Sequence, residues 1–414
     1  MVVMEQNALF SREVLAGYDR ERLEQSVASV VGCGAAGNNI TLTLGSAGVR
    51  VLQLVDPDTV ELSNLTRSPL FRRERVTGDK SRFKARELAT GFLSCSYADD
   101  PVVHFATRRV EELGLSGLAN SSVIISAVDS FKARAYLADV SRLLGIPLVE
   151  VGFSAPRGHV SVFPNQQDAE ACWRCLHPSV SHGGVSCTTY AEAVVASGRV
   201  PATQTVAALF GALAAEAAIE AIHGRFPLGG KLLQLDARSG RSAVATISSD
   251  PHCPGLHRRL PERLQIDVPV NAPMTDVFTA ISKRVSAPVV RLLSQFVVEM
   301  PCADCGHAVK IAKPAFSIIA PPRCAVCPDS PEPSVLSVLQ RVRPGDPDAR
   351  RLCKRFGLGP GALLEVEDET TNAVLAVQLA GLPTAAFTTL RRDRKDSSTS
   401  EPNSEPVTER TPRA

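Results

Sequence analysis

Val27-Ala28-Ser29-Val30-Val31-Gly32-Cys33-Gly34-Ala35-Ala36-Gly37-Asn38 opens the reading, because it runs an apolar strand into Gly-x-Gly-x-x-Gly and then into a helical segment. Glycines at those three spacings let the backbone turn tightly and approach a phosphate, which then meets free amides at the positive end of the helix. A helix is expected over 38–47 and a second strand over 49–55, closing on Asp56, 19 residues past Gly37. A carboxylate at the end of that strand can take ribose hydroxyls, so the stretch reads as a nucleotide site built on Gly32, Gly34, Gly37 and Asp56. Cys33 reads as a small buried residue, since nothing beside it would lower its pKa.

Further along the chain, apolar runs at 102–105, 123–127 and 147–151 continue the strand pattern, with a helix over 130–144 between the last two. Strands alternating with helices give an α/β fold: a Rossmann-like, doubly wound, mostly parallel sheet. A short strand at 158–163 precedes a polar, cysteine-bearing stretch without periodicity, expected as a loop crossing the sheet's working edge over about 164–199. An apolar helix over 203–223 and a strand pair at 231–236 and 242–247 close the first domain, 1–260. Residues 261–390 read as a smaller α+β module containing a zinc ribbon at 302–327. The last segment, 391–414, is rich in Ser, Thr, Pro, Glu and Arg with almost nothing to bury, and is expected to be disordered.

Length and charge set the outer limits. A chain of 414 residues has room for two domains, and 45 Lys+Arg against 43 Asp+Glu gives no chain-wide electrostatic grip on nucleic acid or a membrane surface. The apolar run at 200–224 is interrupted by Glu216, Glu220 and His223, and the first residues carry Glu5, Arg12 and Glu13 where a secretory signal would need a basic start and an apolar core. The expectation is a cytoplasmic protein, in a reducing compartment where Cys-x-x-Cys pairs point to metal ligands before disulfides.

A dinucleotide site would explain the glycines and Asp56 but not the residues after Asp56. Asp56-Pro57-Asp58-Thr59-Val60-Glu61-Leu62-Ser63-Asn64-Leu65-Thr66-Arg67, then Gly78-Asp79-Lys80, resembles the signature of the ThiF, MoeB and HesA family and of the adenylation half of ubiquitin-activating enzymes. In that family an acidic residue ends the second strand, Asn-Leu-x-Arg follows eight residues later, and a lysine comes thirteen residues after the arginine; Asp56, Asn64, Arg67 and Lys80 keep those spacings. Arg12 in Ser11-Arg12 and Asp129 and Arg134 in an Asp-x-x-x-x-Arg extend the resemblance over roughly residues 8 to 258. One departure is Arg67-Ser68 where the family usually has Arg-Gln.

The resemblance implies adenylation, with Mg-ATP, of the C-terminal carboxylate of a ubiquitin-like or sulfur-carrier protein. It implies that Asp129 holds the magnesium, that Arg67 and Lys80 grip the phosphates, and that Arg12 reaches the nucleotide of the other subunit of a homodimer. The chemistry suits these residue types, because attack on the α-phosphate builds negative charge that cations must offset, and magnesium prefers carboxylate oxygen. By the same resemblance Cys187, in Ser186-Cys187-Thr188-Thr189, would accept the activated carboxylate as a thioester before transfer to a conjugating enzyme or a sulfur donor.

Two zinc sites are expected. Cys172-x-x-Cys175 resembles the family's first pair, whereas Leu256 stands where its fourth cysteine would be, leaving Cys172, Cys175, Cys253 and His257, or His252 instead, as ligands. Cys302-x-x-Cys305 and Cys324-x-x-Cys327 form the two knuckles of a structural zinc ribbon, whose four thiolates leave no open position for catalysis. That module lies outside the resemblance; its surroundings are neither strongly basic nor aromatic, so protein docking suits it better than nucleic acid. Adenylation of a peptide or small molecule, a non-catalytic nucleotide-binding zinc scaffold and an NAD-binding protein are the rival readings. Carrier-free turnover would favour the first, and binding of NAD without affinity for ATP the last.

Overall fold

A computed structural model describes residues 8–75, 82–177, 201–302, 304–318, 324–327 and 337–392. Its first sheet has nine strands. β1 (Val27–Val31), β2 (Val51–Val55), β3 (Val102–Ala106), β4 (Val123–Ser126) and β5 (Leu148–Ser154) are parallel and stand in the order β3-β2-β1-β4-β5. These central strands read as near-continuous apolar runs because helices cover both faces of the sheet. Beyond β5 the chain adds β6 (Arg157–Phe163), β7 (Lys231–Asp236) and β8 (Ser242–Thr246), each antiparallel to its neighbour. The sheet is therefore mixed, with its parallel part at the centre.

Among the described residues, α1 (Ser11–Leu15) and α2 (Arg20–Gln25) precede β1, and α3 (Ala35–Ser46) follows it. α3 packs with α4 (Lys84–Cys95) and the apolar α8 (Gln204–Ile222) on one face, in a core that includes Ile40, Leu44, Phe92, Phe210 and Ile219. α8 is long and apolar enough to cross a membrane by length and composition alone, but here it serves as a core helix against α3 and β5. Its cap is Thr203, whose side chain accepts from the Val206 amide. The other face carries α5 (Gly114–Leu118) and α6 (Phe131–Leu144), whose Leu115, Leu118, Leu137 and Val140 are buried. α6 starts where Ser130 can cap it and stops at Gly145, whose φ of +66° is the left-handed ending that glycine takes without strain. A single turn, α7 (Trp173–Leu176), begins within the first cysteine pair.

A second sheet follows. β9 (Arg263–Gln265), β10 (Pro288–Pro301), β11 (Ala308–Pro314), β12 (Ser337–Val342), β13 (Leu363–Asp368) and β14 (Val374–Gln378) form it, in the order β11-β10-β13-β14-β9 with β12 also on β10, and α9 (Met274–Ile281) lies between β9 and β10 in the chain. Its core gathers Met274, Val277, Phe278, Ile281, Phe296, Val342, Phe356 and Val377. Leu363 and Ala376 turn instead to the α5–α6 face of the first sheet. Arg258 reinforces that contact by pairing with Glu365 and Glu367.

The chain then returns. β15 (Thr388–Arg391) pairs antiparallel with β3 and becomes the outer strand of the first sheet, held by Arg391 to Asp100 and by Arg392 on the Leu93 and Ser96 carbonyls at the end of α4. Arg391, expected in a disordered tail, is thus part of a strand: β3 offers a free edge, and Thr388-Thr389-Leu390-Arg391 supplies β-branched backbone to cover it. Residues 393–414 lie outside the described residues.

Candidate active site

The strand order reverses between β1, which leads to β2, and β4 on its other side, and ligands of open α/β sheets bind in the crevice at the carboxyl ends of such a pair. The Gly32–Gly37 loop leaves β1 there and residues 127–129 leave β4 there. Gly32 has φ +96°, and a Cβ on it would lie 2.4 Å from the Ala127 carbonyl oxygen; one on Gly37 would lie 2.0 Å from the Gly32 oxygen. Both glycines are required by protein atoms alone. Gly34 differs: a Cβ there meets nothing within 4 Å, so its missing side chain leaves open space at the start of α3. The structure therefore separates two packing glycines from one that leaves room for a ligand.

Asp56 is buried at the end of β2 and ties the loop down, accepting from the Cys33 amide at 2.7 Å and the Asp58 amide at 2.8 Å. Burial raises its pKa, against the pull of the nearby Lys84 charge and those two amides. Cys33 is fully buried and its thiol is pushed up by burial and by Asp56, so it is inert, as its surroundings in the sequence imply.

Asn64 and Arg67 lie on the helical turn Leu62–Arg67 after β2. Asn64 accepts from the Glu61 amide at 2.9 Å, and Arg67 donates to the Ser63 carbonyl, so both fix the turn. Asp129 is exposed just past β4, and no side-chain hydrogen bond engages its carboxylate among the described residues. A hard carboxylate oxygen exposed at this crevice is of the ligand type that suits magnesium. Arg12 is exposed on α1. Lys80 and Cys187 lie outside the described residues.

One cation escaped the sequence reading. Lys84, the first residue of α4, places its Nζ 2.9 Å from Asp58 Oδ2. Burial works to lower its pKa, but the Asp58 bond and the charges of Asp56, Asp58 and Asp129 outweigh it and raise it. The signal available was its helix-start position, where a lysine opposes the helix dipole and an acidic residue is the usual choice.

The first cysteine cluster is assembled. Cys172 Sγ lies 3.8 Å from Cys175 Sγ, 3.6 Å from Cys253 Sγ and 3.4 Å from His257 Nε2, which is also 3.4 Å from Cys175 Sγ. Tetrahedral zinc, with bonds of about 2.3 Å to sulfur and 2.0–2.1 Å to nitrogen, sets its ligand atoms roughly 3.5–3.8 Å apart, so the donor set fits it. His252 is excluded: its side chain is 93% exposed and turns to Asp250. Cys302, Cys305, Cys324 and Cys327 also converge, with Cys327 Sγ 3.4 Å from Cys302 Sγ and 3.3 Å from Cys305 Sγ and all four sulfurs within 4.8 Å of one another, and could hold a second ion.

Similarity to known proteins agrees with this arrangement. The chain is 32% identical over 244 residues to the sulfur carrier protein adenylyltransferase of Thermus thermophilus, covering 57% of this chain and 83% of that protein. It is 30% identical over 236 residues to the SAMP-activating enzyme E1 of Haloferax volcanii, covering 56% of this chain and 81% of the relative. Identity is also 30% over 236 residues with the adenylyltransferase and sulfurtransferase MOCS3-2 of Zea mays, over 56% of this chain; there the chain spans about half of the relative, 46% of its length. Residues 7–255 match the ThiF family, which takes in the whole crevice and three of the four residues of the first cysteine–histidine cluster; the chain belongs to the ThiF family.

Proposed function

We propose that this chain uses Mg-ATP to adenylate the C-terminal carboxylate of a ubiquitin-like or sulfur-carrier protein. The observation that carries the reading is the convergence of an open Gly34 loop, Asp56, Lys84 and Asp129 on one crevice at the strand-order reversal. The incoming carboxylate is already ionised, so no general base is needed. Its oxygen bonds to the α-phosphorus, the bond to the bridging oxygen breaks, and pyrophosphate leaves with that electron pair.

Each residue has a part in this. Asp56 takes the ribose hydroxyls while its bond to the Cys33 amide keeps the loop in place. The backbone at Gly34 lets the phosphates approach, and Asn64 and Arg67 border them. Lys84 adds a second lysine, besides the one expected at position 80, to offset the charge that grows on the phosphates. Magnesium, held by Asp129, would supply further charge neutralisation when bound.

Transfer follows from the same reading. The Cys187 thiolate attacks the acyl-adenylate carbonyl, a thioester forms and AMP leaves; a conjugating enzyme or a sulfur donor then receives the acyl group. Arg12 completes the neighbouring subunit's site in a homodimer, and the enzyme works in the cytoplasm. Residues 1–260 form the adenylation domain, and the second sheet forms a module set between β8 and β15. Zinc bound by each cysteine cluster staples the structure without joining the chemistry. Intact-mass analysis of a glycine-ended carrier after incubation with enzyme and Mg-ATP tests the reading: a carrier–AMP adduct supports it, and an unmodified carrier with enzyme-bound ATP opposes it.

A further inference from the structure

Two side chains outside every motif, Glu150 and His159, stand behind Asp129. Arg134 links them to it: from the first turn of α6 its Nε and Nη2 donate to the Val128 carbonyl at 3.0 and 2.7 Å, on the peptide directly before Asp129. Nη1 of the same guanidinium meets Glu150 Oε1 on β5. The other oxygen of Glu150 accepts from His159 Nε2 at 2.9 Å and Ser161 Oγ at 3.0 Å, both on β6.

Glu150 is fully buried, an expensive place for a carboxylate. Burial pushes its pKa up, yet Arg134, His159 and Ser161 hold it down at about 2, so it is a permanent anion. An apolar residue of similar size would stabilise the core at least as well as such a pair, so stability alone does not account for it. What the anion does supply is a fixed guanidinium: held by Glu150 on one side, Arg134 has its other donors aimed at one carbonyl. The register agrees, since Ser126 at the end of β4 pairs with Glu150, and Glu150 and Gly152 pair with Ser161 and His159.

We infer that Glu150 and His159 are positioning residues that act through Arg134, fixing the Val128–Asp129 peptide and so the direction in which the Asp129 carboxylate meets the metal of the bound nucleotide. The inference rests on the proposed role of Asp129 as that metal's ligand. Partners behind a metal ligand typically change metal affinity by about 10–100-fold when removed. The same size of effect is expected here.

Binding of Mn²⁺ to the full chain with ATP, followed by electron paramagnetic resonance, tests it without relying on turnover. Arg134→Lys and His159→Leu should raise the Mn²⁺ needed for half-saturation about tenfold, with metal-free ATP binding unchanged. His159→Gln, which keeps an N–H donor toward Glu150, should restore the wild-type value. Glu150→Gln should behave like His159→Leu where it folds, and the other two variants carry the test where it does not. Wild-type metal dependence in Arg134→Lys and His159→Leu, beside impaired binding in Asp129→Ala, would overturn the inference alone. An Asp129→Ala variant that binds Mn²⁺ normally would overturn the role of Asp129 and the inference with it.

Discussion

Lys84 Nζ stands 2.9 Å from Asp58 Oδ2 at the first residue of the helix Lys84–Cys95. A cation there opposes the helix dipole, at a cost of about 0.3–1 kcal/mol, and two further carboxylates, Asp56 and Asp129, act on it through space. If phosphate binds here as proposed, the ammonium gains a further anionic partner that offsets this local conflict.

Lys84→Ala should therefore lower kcat/KM for carrier adenylation by about 10²–10³-fold, the usual loss when one charge-stabilising donor is removed. Its melting temperature should stay near wild type, because the ion pair with Asp58, whose side chain is 64% exposed, contributes little to folding. Steady-state kinetics beside Lys80→Ala would rank the two lysines.

The glycines should divide by readout. Gly32→Ala and Gly37→Ala push a methyl into backbone and should destabilise the fold by about 1–3 kcal/mol, measured by urea titration. Gly34→Ala has room within the protein and should keep wild-type stability while weakening ATP binding in calorimetry.

Metal analysis of the purified chain should give two zinc ions. His257→Ala should lose one of them while His252→Ala keeps both, because only His257 Nε2 reaches the thiolates. Chelation should lower the thermal stability, since structural zinc contributes folding energy.

Glu150 should shape the acid limb of stability. Its folded pKa of about 2 lies below the unfolded value, so its contribution is present above about pH 4.3 and is lost as pH falls through about 2. The expected size is about 3 kcal/mol. Glu150→Gln leaves Arg134 buried without its anion and should cost roughly 3–5 kcal/mol near neutral pH, with a flatter acid limb in pH-dependent denaturation.

Local signals carried much of this fold. The apolar run at Val27–Val31, the cap at Ser130 and the stop at Gly145 are short-range features, and the strands and helices they imply stand where the pattern placed them. β15 was not legible, because Thr388–Arg391 becomes a strand only through an edge supplied by residues almost 300 positions earlier. Within the site, spacing marked the glycines, Asp56 and Asp129, and the ambiguity between His252 and His257 needed the folded chain to bring one ring to the sulfurs. Lys84 and Glu150 were missed for a shared reason: alone in sequence they read as a surface lysine and an acid within a strand. Their meaning comes from Asp58 and Arg134, which the fold sets beside them.

Carboxylate adenylation itself is tested by ATP–pyrophosphate exchange, run on the full chain with small carrier proteins ending in glycine, beside the Asp129→Ala variant. Exchange should require a carrier and should disappear in the variant. Folded enzyme that binds Mg-ATP yet exchanges no pyrophosphate with any carrier would contradict the adenylation reading.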